Sequence, residues 1–109
     1  MAKYGNKKTV VDGITFDSKR EAERYKELKL LLRAGVIEGL QLQPEYTLIP
    51  AFKKNGTAYR EMAYRADFSY LEEGKKIVED VKGMETQVFK LKRKLFEHFY
   101  PDLEIRIVR

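Results

Sequence analysis

Residues 64–82 read YRADFSYLEEGKKIVEDVK, and this stretch decides the fold. Tyr64, Ala66, Phe68 and Tyr70 are expected on one side of a strand, with Arg65, Asp67 and Ser69 on the other, because strand side chains alternate between faces. That strand is read as Tyr59 to Tyr70, and Lys76 to Lys82 as its neighbour. Glu73-Gly74 between them suits a two-residue hairpin turn. Such a turn sets Asp67 directly opposite Asp80 with both side chains on one face. Lys82 shares that face by the period of two, while Ile77, Glu79 and Val81 take the other. A three-residue loop would send Asp67 and Asp80 to opposite faces, so the turn carries the reading.

Towards the C-terminus, Thr86 to Phe99 is expected to be a helix with Val88, Leu91, Leu95 and Phe99 on its apolar face, ended by Pro101. Leu103 to Val108 then alternates as a last strand. Towards the N-terminus, Ala51 to Ala58 carries Lys53, Lys54, Asn55 and Gly56 and reads as a basic turn. Val36 to Leu48 reads as an extended segment bent by Pro44. Ser18 to Ala34 is an amphipathic helix with Ala22, Tyr25, Leu28 and Leu32 at helical spacing and Gly35 as its stop. Val10 to Phe16, around Asp12-Gly13, suits a small hairpin. Residues 1–8, with Lys3, Lys7 and Lys8, read as a flexible basic arm. After the entry ribbon the order is helix, three strands, helix, strand.

A chain of 109 residues has room for one domain. Its 22 Lys and Arg against 17 Asp and Glu give a net charge of +5 and argue for a polyanionic partner. The absence of cysteine rules out disulfides, thiolate metal sites and a cysteine nucleophile. His98 is the one histidine, which leaves almost nothing for Ser-His-Asp catalysis or a histidine metal cage. Chemistry must run on carboxylates and lysine. No apolar run approaches the roughly 18 residues of a membrane span, and a soluble, cytoplasmic protein is expected.

Opposed carboxylates in a sheet destabilise it unless something compensates. A hard divalent cation bound through oxygen does so, and Mg²⁺ commonly takes one or two carboxylates together with waters and substrate phosphate oxygens. Lys82 would then orient the attacking water or stabilise charge on the phosphoryl group; alternatively it forms a plain salt bridge with Asp80. Glu21 lies in line with the helix stripe of Tyr25, Leu28 and Leu32 and is the fourth candidate. It has a second reading as the N3 residue of a capping box, Ser18-Lys19-Arg20-Glu21. Glu23 points away from that stripe. Lys90, Lys92, Arg93 and Lys94 on the second helix, with Lys53, Lys54, Lys7 and Lys8, would follow a phosphate backbone. Gln41 and Gln43 fall near the site's rim.

Asp67, then twelve positions, then Asp80-Val81-Lys82 resembles the D…(D/E)xK signature of the PD-(D/E)XK nuclease superfamily, with Ala66 in place of the leading proline. The element order is also similar to that family's αβββαβ core, a mixed central sheet flanked by helices. The stretches YRADFSY, IVEDVKG and YPDLEIRIV resemble parts of phage four-way junction resolvases of the endonuclease I type and of small phage and prophage nuclease-like proteins. The resemblance implies that Glu21, Asp67 and Asp80 hold Mg²⁺ or Mn²⁺ and that Lys82 assists the water, with Gln43 as a polar site residue. It implies a DNA endonuclease acting on branched or nicked intermediates in a bacterial host's cytoplasm, as a homodimer if it resolves junctions and a monomer if it nicks. The alternative is a noncatalytic DNA-binding module on the same fold.

Overall fold

The structure, a computed structural model, describes residues 7–109; Lys3 and most of the expected basic arm lie outside them. β1 (Thr9–Val11) and β2 (Ile14–Phe16) pair antiparallel. Asp12 and Gly13 both have positive φ, 53° and 75°, which is the turn whose twist matches a two-residue hairpin. α1 (Lys19–Arg33) follows, with the Ser18 hydroxyl accepting from the Glu21 backbone amide. It ends where Gly35 takes up the left-handed conformation, φ 78°.

Pro44 divides the next segment into β3 (Ile37–Leu42) and β4 (Glu45–Ile49). The expected basic turn is itself a hairpin, β5 (Phe52–Lys54) and β6 (Thr57–Tyr59), closed by Asn55-Gly56 with φ of 50° and 80°. The single strand expected over Tyr59 to Tyr70 is three pieces: β6, then β7 (Met62–Arg65), then β8 (Phe68–Glu72). β9 (Lys75–Val81), α2 (Gln87–Phe99) and β10 (Glu104–Val108) complete the chain.

The central sheet has four strands in the order β10-β9-β8-β3. β10 runs parallel to β9, and the β9–β8 and β8–β3 pairs are antiparallel, so this is a mixed α/β fold. β4 and β7 pair as a separate antiparallel arm, and the β5–β6 hairpin is the chain that connects them.

Alternation puts adjacent residues of β9 on opposite faces, and the two cores follow from it. Ile77 packs with Phe16, Ala22, Tyr25, Leu28, Ile37, Phe68 and Tyr70 on the α1 side. Val78 packs with Leu48, Tyr64, Ala66, Phe89, Phe96 and Ile105 on the α2 side. The expectation that Tyr64, Ala66, Phe68 and Tyr70 share one face is therefore corrected, because Tyr64 and Ala66 lie on the α2 side and Phe68 and Tyr70 on the α1 side. The alternation breaks where Ala66 and Asp67 step out of the ladder opposite Gln43 and Pro44. Ala66 N donates to Pro44 O at 3.1 Å and Gln43 N to Asp67 O at 2.9 Å. Pro44 has no N–H to continue the pairing, and Gln43 adopts φ 50° to turn the chain.

The apolar face expected for α2 is corrected at three of its four members, Leu95 alone packing against the core as expected. Val88, Leu91 and Phe99 are 64%, 54% and 49% exposed, and the helix buries Phe89 and Phe96 instead. Both stripes have helical spacing, so periodicity does not separate them. The aromatic one is the one that finds ring partners, Phe96 meeting Tyr46, Tyr64 and Tyr100 at ring-centroid distances of 5.1–5.4 Å.

Candidate active site

The Glu73-Gly74 turn, with φ of 53° and 76°, is the two-residue hairpin that the sequence implies, and Phe68 pairs with Glu79 across it. One step further the regular pairing stops: the Asp67 backbone N donates to Glu79 O at 3.1 Å, and its carboxyl comes within hydrogen-bond reach of Asp80. Because Asp67 has left the strand, its carboxylate can turn back over the end of β9, where Oδ2 accepts from the Val81 backbone amide at 2.8 Å. Asp80 is 2% exposed. Its Oδ2 accepts from the Tyr64 hydroxyl and its Oδ1 lies 3.6 Å from Lys82 Nζ. The Lys82 ammonium also sits 4.8 Å from the centre of the Phe89 ring, a cation–π placement. Backbone pairing of Lys82 N to Val108 O at 2.9 Å holds the root of this side chain on the edge strand.

Two carboxylates this close, with little water around them, resist ionising together. Burial raises the Asp67 pKa from its ordinary 3.8 to about 8, with the charge of Asp80 and a hydrogen bond to it adding to the rise and the Val81 amide opposing it. The Tyr64 hydroxyl is driven well above its ordinary value by burial and then by Asp80, so it remains a donor to that carboxylate.

Glu21 is 6% exposed at the start of α1. The Ser18 side chain makes its half of the capping box, but the Glu21 carboxyl does not return to the Ser18 amide. Burial raises the Glu21 pKa, Asp17 and Asp80 raise it further, and the Asp17 backbone and Lys82 pull it back. Glu21 thus belongs to the same electrostatic neighbourhood as Asp80 and Lys82.

Among the described residues no group of three or more His, Asp or Glu side chains closes on one point as a ready metal cage. The donor set that is present consists of the opposed carboxylates of Asp67 and Asp80, with Glu21 close behind. This all-oxygen set suits a hard cation that keeps several waters and takes substrate oxygens, as Mg²⁺ does.

Beside Lys82 opens a cleft of about 450 Å³ between β7 and α2, bordered by Tyr64, Arg65, Lys82, Thr86, Phe89 and Lys92. Of the basic residues singled out in the sequence, Lys92 reaches this cleft. Lys90 and Lys94 are exposed on α2, and Arg93 lies 3.7 Å from Glu85 and 4.0 Å from Glu97. Lys53 and Lys54 sit on the separate β5–β6 hairpin. Lys7 is exposed, and Lys8 reaches Asp17 at 3.4 Å. Gln43 is exposed and joins Asp67 through its backbone, whereas Gln41 accepts from Ser69 at 3.0 Å.

The sequence placed Tyr64 only by strand alternation and gave no sign of its hydroxyl contact with Asp80, which the break at Ala66–Asp67 creates. It also missed Glu79. That carboxylate, fully buried on the α1 side, accepts from Arg24 at 2.7 and 2.9 Å and from the Tyr70 hydroxyl at 2.5 Å. Arg106 extends the network to Tyr70 at 3.3 Å and Glu72 at 2.8 Å. Arg24 and Glu79 are 55 positions apart, and no local pattern links them.

A family model matches residues 1–109, and its family is described as a protein of unknown function (DUF1064). The chain belongs to that family. No curated protein and no solved structure matches the chain.

Proposed function

We propose that this DUF1064 protein is a divalent-metal-dependent DNA endonuclease of the PD-(D/E)XK type that hydrolyses phosphodiester bonds. One observation carries the reading: two opposed carboxylates, Asp67 and Asp80, are held together in a poorly solvated corner with a lysine ammonium 3.6 Å from one of them. In the metal-free protein a proton held by Asp67 relieves the repulsion at neutral pH, and a cation between the two carboxylates would relieve it with both ionised. The four-stranded mixed sheet with a helix on each face and the order α1, β3, β8, β9, α2, β10 support the same family.

Mg²⁺ or Mn²⁺ bound by Asp67 and Asp80 would supply Lewis acidity to the phosphoryl oxygen and to the attacking water. Tyr64 holds Asp80 by its Oδ2, while Oδ1 lies 3.6 Å from Lys82 Nζ. Lys82, fixed against Phe89, positions the water and stabilises the charge that develops on the phosphoryl group. Glu21 would add a third carboxylate's charge beside Asp80 and Lys82. Arg65, Thr86 and Lys92 in the cleft bind phosphates flanking the scissile one. Branched or nicked DNA is the proposed substrate class.

Plasmid nicking and synthetic-junction cleavage with Mg²⁺, Mn²⁺ or chelator test this reading. Wild type should cut only with metal, and Asp80→Asn and Lys82→Ala should each lose at least about a hundredfold. Cleavage that survives both substitutions would remove the assignment. Salt-sensitive binding with no cleavage under either metal would leave a noncatalytic DNA-binding module.

A further inference from the structure

The β5–β6 hairpin contributes nothing to either core. Every residue from Pro50 to Glu61 is exposed, and the hairpin's pairing is internal: Phe52 with Tyr59, Lys53 with Ala58, Lys54 with Thr57. An isolated two-stranded ribbon is marginal in water. This one is held by its Asn55-Gly56 turn and by the stacked Phe52 and Tyr59 rings, whose centroids are 4.7 Å apart at an interplanar angle of 12°. Its root is tied by the Thr47 hydroxyl donating to Glu61, across the mouth of the β4–β7 arm. Phe52 and Tyr59 nonetheless remain 48% and 47% exposed. Positions 46–60 contain Lys53, Lys54 and Arg60 and no Asp or Glu, in a chain that has 17 acidic residues.

We infer that this ribbon is a second contact for duplex DNA, remote from the carboxylates; the inference rests on the nucleic-acid reading above. Charge complementarity selects the partner, since an acid-free projection bearing three cations is attracted to a polyanion. Shape selects the duplex, because a two-stranded β-ribbon fits a major groove about 12 Å wide. Lys53 and Lys54 are adjacent and so point to opposite faces, one for the phosphates of each groove wall. The Phe52–Tyr59 stack keeps the ribbon stiff and covers one face of each ring, which disfavours a role as a stacking platform for single strands. Ala58 is nine residues from Asp67 in the chain, at most ~30 Å at ~3.3 Å per extended residue. The ribbon therefore meets the duplex no more than about nine base pairs from the cut, at ~3.4 Å per step.

The test measures binding of a duplex-armed junction by the full chain in chelator, where nothing is cleaved, across a salt series. The double variant Lys53→Ala/Lys54→Ala should bind about tenfold more weakly at ~0.2 M salt and lower the slope of log affinity on log salt by roughly 1.8, the value for two phosphate contacts. A charge-matched control, Lys26→Ala/Lys29→Ala on α1, should move the slope far less. Since the chain has no cysteine, Ala58→Cys carrying a photo-crosslinker should mark the duplex within those nine base pairs. Equal slopes for the two double variants, or no adduct on bound DNA, overturns the ribbon contact. If wild type binds and cuts while the Lys53/Lys54 variant matches it, this inference alone fails. If wild type retains no DNA even at low salt, the nucleic-acid reading fails and takes the ribbon with it.

Discussion

The Asp67 carboxyl meets that of Asp80 at the end of the β8–β9 hairpin, and it is anchored there by the backbone amide of Val81, the residue after Asp80. This anchor brings the carboxylates together against their repulsion, and the burial around them raises the Asp67 pKa to about 8.

The first consequence is a dependence of stability on pH. The folded protein holds the Asp67 proton more tightly than the unfolded chain does, so this group's contribution is fully present below its ordinary 3.8 and is lost as pH rises through about 8. In chelator, the melting temperature should fall as pH rises across that window. Asp67→Asn should flatten this slope and stabilise the metal-free protein above pH 8, by a few kcal/mol at most. Mg²⁺ should restore wild type but not Asp67→Asn. Thermal melts in chelator and in Mg²⁺ read all three effects, and a wild-type melting curve that is flat with pH would contradict the placement of the pair.

Tyr64 acts through Asp80. Removing the hydroxyl in Tyr64→Phe keeps the ring contacts with Phe89 and Phe96 and should cost about 1 kcal/mol of stability. Without that donor, the Mg²⁺ concentration for half-maximal cleavage should shift several-fold while DNA affinity in chelator stays constant. A cleavage profile with unchanged metal dependence would confine Tyr64 to the core.

Glu21 and Ser18 can be separated. Ser18→Ala removes the cap and should destabilise by about 1 kcal/mol without changing cleavage below the melting range. Glu21→Gln keeps the side chain's size and should lower cleavage while leaving the melting temperature unchanged or raised, since its carboxylate is buried near Asp80. Loss of stability with normal cleavage in Glu21→Gln would make it a capping residue only.

The Arg24–Glu79 pair on the α1 side is a structural counterpart to the site. Arg24→Met leaves the fully buried Glu79 carboxylate without its guanidinium partner and should cost roughly 3–5 kcal/mol. Arg24→Met combined with Glu79→Leu should recover a large part of that loss. Chemical denaturation of the two single variants and the pair gives the coupling directly.

The orientation of α2 is testable by truncation. Phe96→Ala should lose roughly 3–5 kcal/mol, and Leu91→Ala and Val88→Ala less than about 0.5 kcal/mol, as exposed positions do. The reverse ranking would rotate the helix.

The features legible in the chain alone were local in origin. The turn chemistry of Asp12-Gly13 and Glu73-Gly74 placed two hairpins, and the second set the register that holds as far as Phe68 opposite Glu79. Ser18, Gly35 and the stripe of Ala22, Tyr25 and Leu28 placed α1, and Pro44 marked the break between β3 and β4. Asn55-Gly56 carried the same turn signal, but short flanks with two lysines gave it no apolar alternation to be recognised by. Tertiary structure decided the rest. The Tyr64 contact with Asp80 depends on the kink at Ala66–Asp67, where the chain leaves one antiparallel pairing for another opposite a residue with no N–H. The choice between the two helical stripes of α2 was made by which face the aromatic rings of β4 and β7 could cover. The Arg24–Glu79 pair joins residues that only the packing of α1 on β9 brings within hydrogen-bond distance. Asp67, Asp80 and Lys82 could be placed together from a turn and a period of two because a hairpin is a short-range object; what burial does to their charges belongs to the whole fold.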